Sequence, residues 1–398
     1  MKRFSVYTPL LAGLLMLASQ SVCAQSLYTA QLREIEKNNP VLRAAMAGAE
    51  AQRADALTGL TLADPEVSVT HLFGVPSEVP DETDIEVDQS FDFATLSGAK
   101  RKVAEAQGRV ALAGTASSRA ELMLQAEKAL IEYTFRVQML KEVQRRHDRL
   151  HSMHQAAEKA LASGTITQLE YNSIELEALA ADNEVALAEI EVQNALMELQ
   201  VLNGGQPLSV AGEWPEVTMP ADFDSWLAQV SLQSPEMMVL EAQVAQSAAE
   251  VNLRRKEGLP GFSVGYRSQL VKGDNYHGFA VGVTLPLWSN RGRVKAARAL
   301  QTAGELELES VASQLRLTKQ MQYNRARSLE KASIDLQKLY ARIGEKNQAY
   351  LQNALEKGVI TTLDYLQQQE DFSGHYVKYL EARRDYLLAR ADLYAETL

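Results

Sequence analysis

Gly164-Thr165-Ile166-Thr167-Gln168-Leu169-Glu170-Tyr171 returns later in the chain as Gly358-Val359-Ile360-Thr361-Thr362-Leu363-Asp364-Tyr365, an offset of 194 residues (358 against 164). Ser97-Gly98-Ala99-Lys100 meets Arg291-Gly292-Arg293-Val294 at the same offset. Asp64-Pro65-Glu66-Val67-Ser68-Val69 meets Leu259-Pro260-Gly261-Phe262-Ser263-Val264 at 195, as Asn39-Pro40-Val41 meets Ser234-Pro235-Glu236. A register that slips by one residue along the whole chain marks a duplicated unit, so one architecture must explain both halves.

Outward from the two Gly-x-Ile-Thr segments, the unit reads as helix, strand, strand, helix, helix. The first repeat takes residues 25–203, with strands expected at about 65–74 and 85–93 and a hairpin tip at about 163–168. The second takes 222–398, with strands at about 260–270 and 278–286 and a tip at about 357–362. A Gly- and Pro-containing linker, 204–221, joins them.

No proline interrupts the run from Ser97 to Ser163, which is rich in Ala, Leu, Glu, Gln, Lys and Arg. Apolar residues recur there in steps of three and four, at Leu122, Ala126, Ala129, Tyr133, Val137 and Leu140. The returning stretch offers Leu176, Leu179, Leu187, Ile190, Met197 and Val201, and the second half Leu308, Val311, Leu315, Leu329, Leu336, Leu339 and Ile343. This is coiled-coil spacing. One helix from Gly98 to Ser163 is about 100 Å long.

Each strand segment alternates. Val67, Val69, His71 and Phe73 oppose Glu66, Ser68 and Thr70; Ile85, Val87, Phe91 and Phe93 oppose Glu86, Asp88, Ser90 and Asp92. Phe262, Val264, Tyr266 and Leu270 oppose Ser263, Gly265, Arg267 and Gln269, and Phe279, Val281, Val283 and Leu285 oppose Ala280, Gly282 and Thr284. Runs of about 9 residues with one apolar and one polar face suit tilted strands crossing a bilayer. Soluble strands on a core alternate in the same way, but no further apolar element is present for these to pack on. Four strands cannot close a membrane barrel, and open edges are not tolerated in lipid. Two copies give a barrel filled by side chains, whereas three give twelve strands and a passable lumen. The residues alone therefore point to an oligomer, and a trimer is the smallest with a pore.

Lys2, Arg3, the apolar Leu10–Ala18 core and Val22-Cys23-Ala24 form a secretory leader over residues 1–24. The competing reading is acylation of Cys23, although Gln20-Ser21-Val22 is a poor lipobox. Cleavage after Ala24 removes Cys23, the single cysteine, so packing or assembly must supply the stability that disulfides would otherwise give. A net charge of −11 argues against nucleic acid as a partner. No nucleophile elbow, P-loop or HExxH is present, so neither catalysis nor a cofactor is expected.

Leader, duplicated unit and tips together resemble the TolC-type outer-membrane efflux factors over about Ser26 to Leu398. The most family-like pieces are residues 160–171, 354–365 and Leu285-Pro286-Leu287-Trp288 before Arg291-Gly292-Arg293. The resemblance implies a mainly α homotrimer: a 12-stranded β-barrel in the outer membrane's lipid, continuing into an α-helical coiled-coil barrel across the periplasm. It also implies passive export for an inner-membrane pump, through a periplasmic adaptor. Short members of that family often serve heavy-metal or cation export, so the resemblance admits that branch, with metal cations as one candidate cargo. The linker 204–221 is expected to support the equatorial belt. The alternatives are an exported coiled-coil scaffold without a pore and a type I protein secretion duct.

The resemblance makes the tips, Gly164-Thr165 and Gly358-Val359, the adaptor-contact surface. Asp364, with Glu170 as its equivalent, is expected at the closed entrance, where three copies form an acidic ring. Ile360 stands where the family has a basic tip residue, so no Arg–Asp lock is expected. Glu66, Glu86, Asp88, Asp92 and Arg267 are expected to line the barrel, between outer loops at 75–84 and 272–277. Phe91, Phe93, Phe262 and Trp288 suit an aromatic girdle. His147, His151 and His154 share one helix face, a spacing that can chelate a transition metal; a solvated face among Arg145, Arg146, Asp148 and Arg149 is the plainer alternative.

Overall fold

The computed structural model describes residues 27–397 apart from 77, 232 and 289. The leader expected at 1–24, with Cys23, lies outside the described residues. In chain order the first repeat forms α1 (Thr29–Asn38), α2 (Pro40–Ala56), β1 (Glu66–Leu72), β2 (Glu82–Phe91), α3 (Phe93–Leu96), α4 (Ala99–Ala162) and α5 (Gln168–Leu202). The second forms α6 (Phe223–Ser231), α7 (Pro235–Lys256), β3 (Gly261–Val271), β4 (Asp274–Thr284), α8 (Arg293–Glu356) and α9 (Thr362–Tyr394). α1 and α6 are a further matched pair at the 194-residue offset, too short to be read from periodicity. Matched helices start alike: Asn39 and Ser234 cap α2 and α7 with side-chain oxygens, each followed by a proline at the first helical position. α4 and α8 both run 64 residues, about 96 Å. No described helix is long and apolar enough to cross a membrane.

Two compact units cut across the repeats. One comprises the residues up to Asn38, Met123–Met219 and Ala326 onward. Its core is formed by Met123, Leu130 and Ile131 of α4, Leu199 of α5, and Leu380 and Leu387 of α9, all fully buried. Each such side chain contributes about 1.5–3 kcal/mol. Tyr28 meets Thr134 at 2.9 Å, and burial pushes its phenol up to about 12. The inter-repeat stretch lies on this unit: Gln138 donates to the Gly212 carbonyl (2.7 Å) and Arg383 to that of Pro215 (3.0 Å).

The other unit comprises Asn39–Leu122 and Pro220–Arg325. Its helices bury small residues, among them Ala49, Ala99, Ala104, Ala106 and Ala297. It carries one antiparallel sheet of order β1-β2-β3-β4, in which β2 and β3 join the repeats.

Of the positions read in α4, Ala126 and Ala129 are buried while Leu122, Tyr133, Val137 and Leu140 are half-buried, and the fully buried side chains are the neighbouring Met123, Leu130 and Ile131. The periodicity of α5 is corrected. Ile174, Ala178, Ala181, Ala195, Leu199 and Leu202 face inward, whereas Leu176, Leu179, Leu187, Ile190, Met197 and Val201 are exposed, Val201 by 74%. α5 carries two apolar stripes, and the chain's own core uses only one.

Strand ends also differ from expectation. β2 begins at Glu82 because Glu82, Thr83 and Asp84 extend its pairing with Val271, Leu270 and Gln269, leaving 73–81 as the first loop. β4 begins at Asp274, so the loop expected at 272–277 shrinks to Lys272-Gly273, with φ of 49° and 93°. Two successive left-handed residues reverse the chain with the twist a hairpin requires.

Candidate functional site

The sheet register sorts its side chains onto two faces. Val67 pairs with Val87, Val87 with Tyr266 and Tyr266 with Phe279; one step along, Val69 pairs with Ile85. Val264 with Val281 and Phe262 with Val283 extend the same face, on which Phe279 is 86% exposed. Phe91 pairs with Phe262 at the end of the sheet joined to the helices. Exposed apolar residues on one side of a sheet indicate a surface built for something other than water.

The opposite face is acidic. Glu66 pairs with Asp88, which opposes Gly265; Ser68 pairs with Glu86, which opposes Arg267. Gly265 gives Asp88 its room, since a Cβ there would lie 2.9 Å from the Asp88 carboxylate. Two acids missed in the sequence complete this face. Asp84 takes the ion pair from Arg267, and Glu82 accepts from Gln269. The alternation pointing to them continues three residues before the expected strand start.

Asp92 is not on this face. It follows β2 and caps α3, its carboxylate accepting from the Thr95 N–H (2.7 Å) and pairing with Lys100 (3.1 Å). Phe93 is already helical. The strand ends here because an Asp followed three residues on by a Thr starts a helix turn instead.

The two tips are built alike. Thr165 N–H donates to the Ala160 carbonyl (2.8 Å) and Gly164 N–H to that of Leu161 (2.9 Å), closing α4; Val359 to Ala354 (2.9 Å) and Gly358 to Leu355 (3.0 Å) close α8. Gly164 and Gly358 sit at φ +72° and +66°, which this closure requires. Thr167 and Thr361 then cap α5 and α9, and Glu170 and Asp364 reach back to complete capping boxes. Hydrogen bonds from the Thr167 backbone and hydroxyl hold the Glu170 carboxyl below its ordinary value; the Thr361 hydroxyl and backbone do the same for Asp364. The signal for this role, Thr-x-x-Glu and Thr-x-x-Asp, stands in the sequence. Leu169 and Leu363 also stand out in solvent beside the tips, Leu169 by 76%.

The three histidines divide. His147 Nε2 and His151 Nε2 of α4 lie 3.0 and 2.8 Å from Asp182 Oδ1 of α5. His154 is not part of this group; its Nε2 faces the Tyr171 hydroxyl at 3.2 Å. The step from His151 to His154 turns it toward the start of α5 instead of toward Asp182. His147 Nδ1 is 3.0 Å from Asp148, and this contact, with that to Asp182, raises its pKa. Arg146 alongside meets Glu184 (2.6 Å), Glu370 (3.0 Å) and Glu177 (3.4 Å).

Residues 226–397 match the outer membrane efflux protein family. The chain also superposes on solved structures. CusC, studied for its folding and transmembrane channel formation, matches with TM-score 0.74 at 17% identity, over 94% of this chain and 92% of that one. The Neisseria gonorrhoeae MtrE outer membrane channel in its open state gives 0.72 at 17%, over 94% and 88%. The Campylobacter jejuni CmeC outer membrane channel gives 0.70 at 14%, over 93% and 85%. Identities this low carry the fold and nothing finer. No curated protein matches in sequence.

Proposed function

We infer that this chain, an outer membrane efflux protein by the pattern of its second repeat and by its fold, is the outer-membrane channel of a tripartite efflux system. The observation that carries this reading is the sheet, apolar and exposed on one face, acidic on the other, with β1 and β4 at its edges. In lipid those edges must be paired. The β4 edge of one copy meets the β1 edge of the next, and three copies close a twelve-stranded barrel with the apolar face outward. The second apolar stripe of α5 supports the same assembly, since a neighbouring copy is the surface it fits.

Glu66, Glu82, Asp84, Glu86 and Asp88 line the lumen, with Arg267 opposing them, so cations are preferred over anions. The tips, with Leu169 and Leu363 added to Gly164, Thr165, Gly358 and Val359, dock a periplasmic adaptor. Glu170 and Asp364, kept ionised by their capping hydrogen bonds, place acidic rings at the entrance. The chain performs no chemistry, and the inner-membrane pump selects the cargo. Native mass spectrometry of the detergent-extracted protein, with planar-bilayer recording, tests this: trimers with cation-selective conductance are expected. A monomer without conductance would overturn it and leave a pore-free scaffold.

A further inference from the structure

His147 and His151 are one helical turn apart on α4, and their rings lie 4.4 Å apart, centroid to centroid. Both turn Nε2 to the same oxygen of Asp182, 35 and 31 residues away respectively, on α5. All three ligand atoms lie within 4.8 Å of one another. Donors about 2.0–2.1 Å from a tetrahedral ion are spaced by roughly 3.4 Å, so small side-chain rotations complete the set. The Asp148 carboxylate at His147 Nδ1 leaves Nε2 as the donor, and this is how imidazole ligands are commonly oriented toward a metal.

We propose that His147, His151 and Asp182 bind a divalent transition-metal ion of the zinc, cobalt, nickel or copper class, fastening α4 to α5. Two imidazoles and a carboxylate select such ions over calcium or magnesium, which favour all-oxygen sites. All three side chains are partly exposed, which leaves the remaining coordination position to water. The neighbouring Arg146 does not oppose a cation, because three carboxylates surround it.

The duplicated scaffold does not require these residues. At the matching positions of the second repeat stand Ala341, Glu345 and Tyr376, which do not repeat the two imidazoles and the carboxylate. The site lies within one chain and stands whether or not the chain assembles into a channel.

Isothermal titration of the chelator-stripped full protein in detergent with Zn²⁺ or Ni²⁺ tests the site. One ion per chain is expected. His147→Ala and His151→Ala each weaken binding by at least about tenfold, as does Asp148→Asn through the orientation of His147; His154→Ala leaves it unchanged. A second measurement needs no substitution: Zn²⁺ slows amide exchange around 147–151 and 182, while the matching stretch of α8 and α9 is unaffected. Absence of stoichiometric binding, or binding that survives the double His147→Ala/His151→Ala substitution, overturns the proposal. Native mass spectrometry and conductance are read separately, so loss of the channel reading leaves this result intact.

Discussion

Thr167 and Thr361 each donate a hydroxyl to a carboxylate and accept a backbone N–H, 3.2 and 3.1 Å long respectively. Removing one such cap costs about 1 kcal/mol, confined to the first turn of its helix. Thr361→Ala should therefore speed amide exchange at Leu363 and Asp364, and Thr361→Ser should restore protection. Gly358→Ala meets nothing within 4 Å, so only its φ of +66° opposes the change, at about 1–2 kcal/mol. Acid acts at the same place. The Glu170 and Asp364 carboxyls have folded-state pKa values below their ordinary 4.5 and 3.8. Their stabilisation is complete above those ordinary values and is lost as pH falls through the lower folded ones. The tips should hold at neutral pH and fray only below about pH 4, an onset that amide exchange across a pH series would locate.

At the scale of elements, the sheet's two faces make opposite predictions. Val281→Arg places a cation on the apolar face and should cost about 2–4 kcal/mol at mid-membrane depth. Its expected outcome is loss of the trimer band and of protein in the outer-membrane fraction. Arg267→Ala on the other face should spare assembly and sharpen cation preference, read as a shifted reversal potential in a salt gradient. The long helices were legible because 64 residues without proline admit little else, and the structure starts and ends α4 within a residue of Gly98 and Ser163. Strand ends were less legible, since Glu82–Asp84 are too polar to look like strand until Gln269 and Arg267 face them. The metal-ligating group was half legible. The i, i+4 histidines announce themselves, but Asp182 is chosen by how α5 packs on α4. The same packing decides which stripe of α5 is buried.

For the whole molecule, assembly and cargo are separable questions. If the proposed export role holds, growth of a deletion strain on zinc, cobalt, nickel, copper, bile salts and hydrophobic drugs should show which class of cargo the channel carries. Sensitivity confined to the metals would place it in cation export, and sensitivity to the organics in multidrug export. Complementation with the His151→Ala protein would then separate a site that matters for metal passage from one that only stiffens a hairpin. The hairpin turns carry a consequence of their own. Leu72, Glu82, Val271 and Asp274 pair in a row, so both turns leave the same end of the sheet, opposite the helices. One turn is residues 73–81 and the other only Lys272-Gly273. In the barrel proposed above, that end would look out of the cell. A peptide tag inserted after Glu78 should be reached by antibody on intact cells, whereas the same tag between Lys272 and Gly273 should abolish surface display. Whatever meets the cell from outside, phage or antibody, would therefore meet mainly the first repeat, although the two halves are copies of one another.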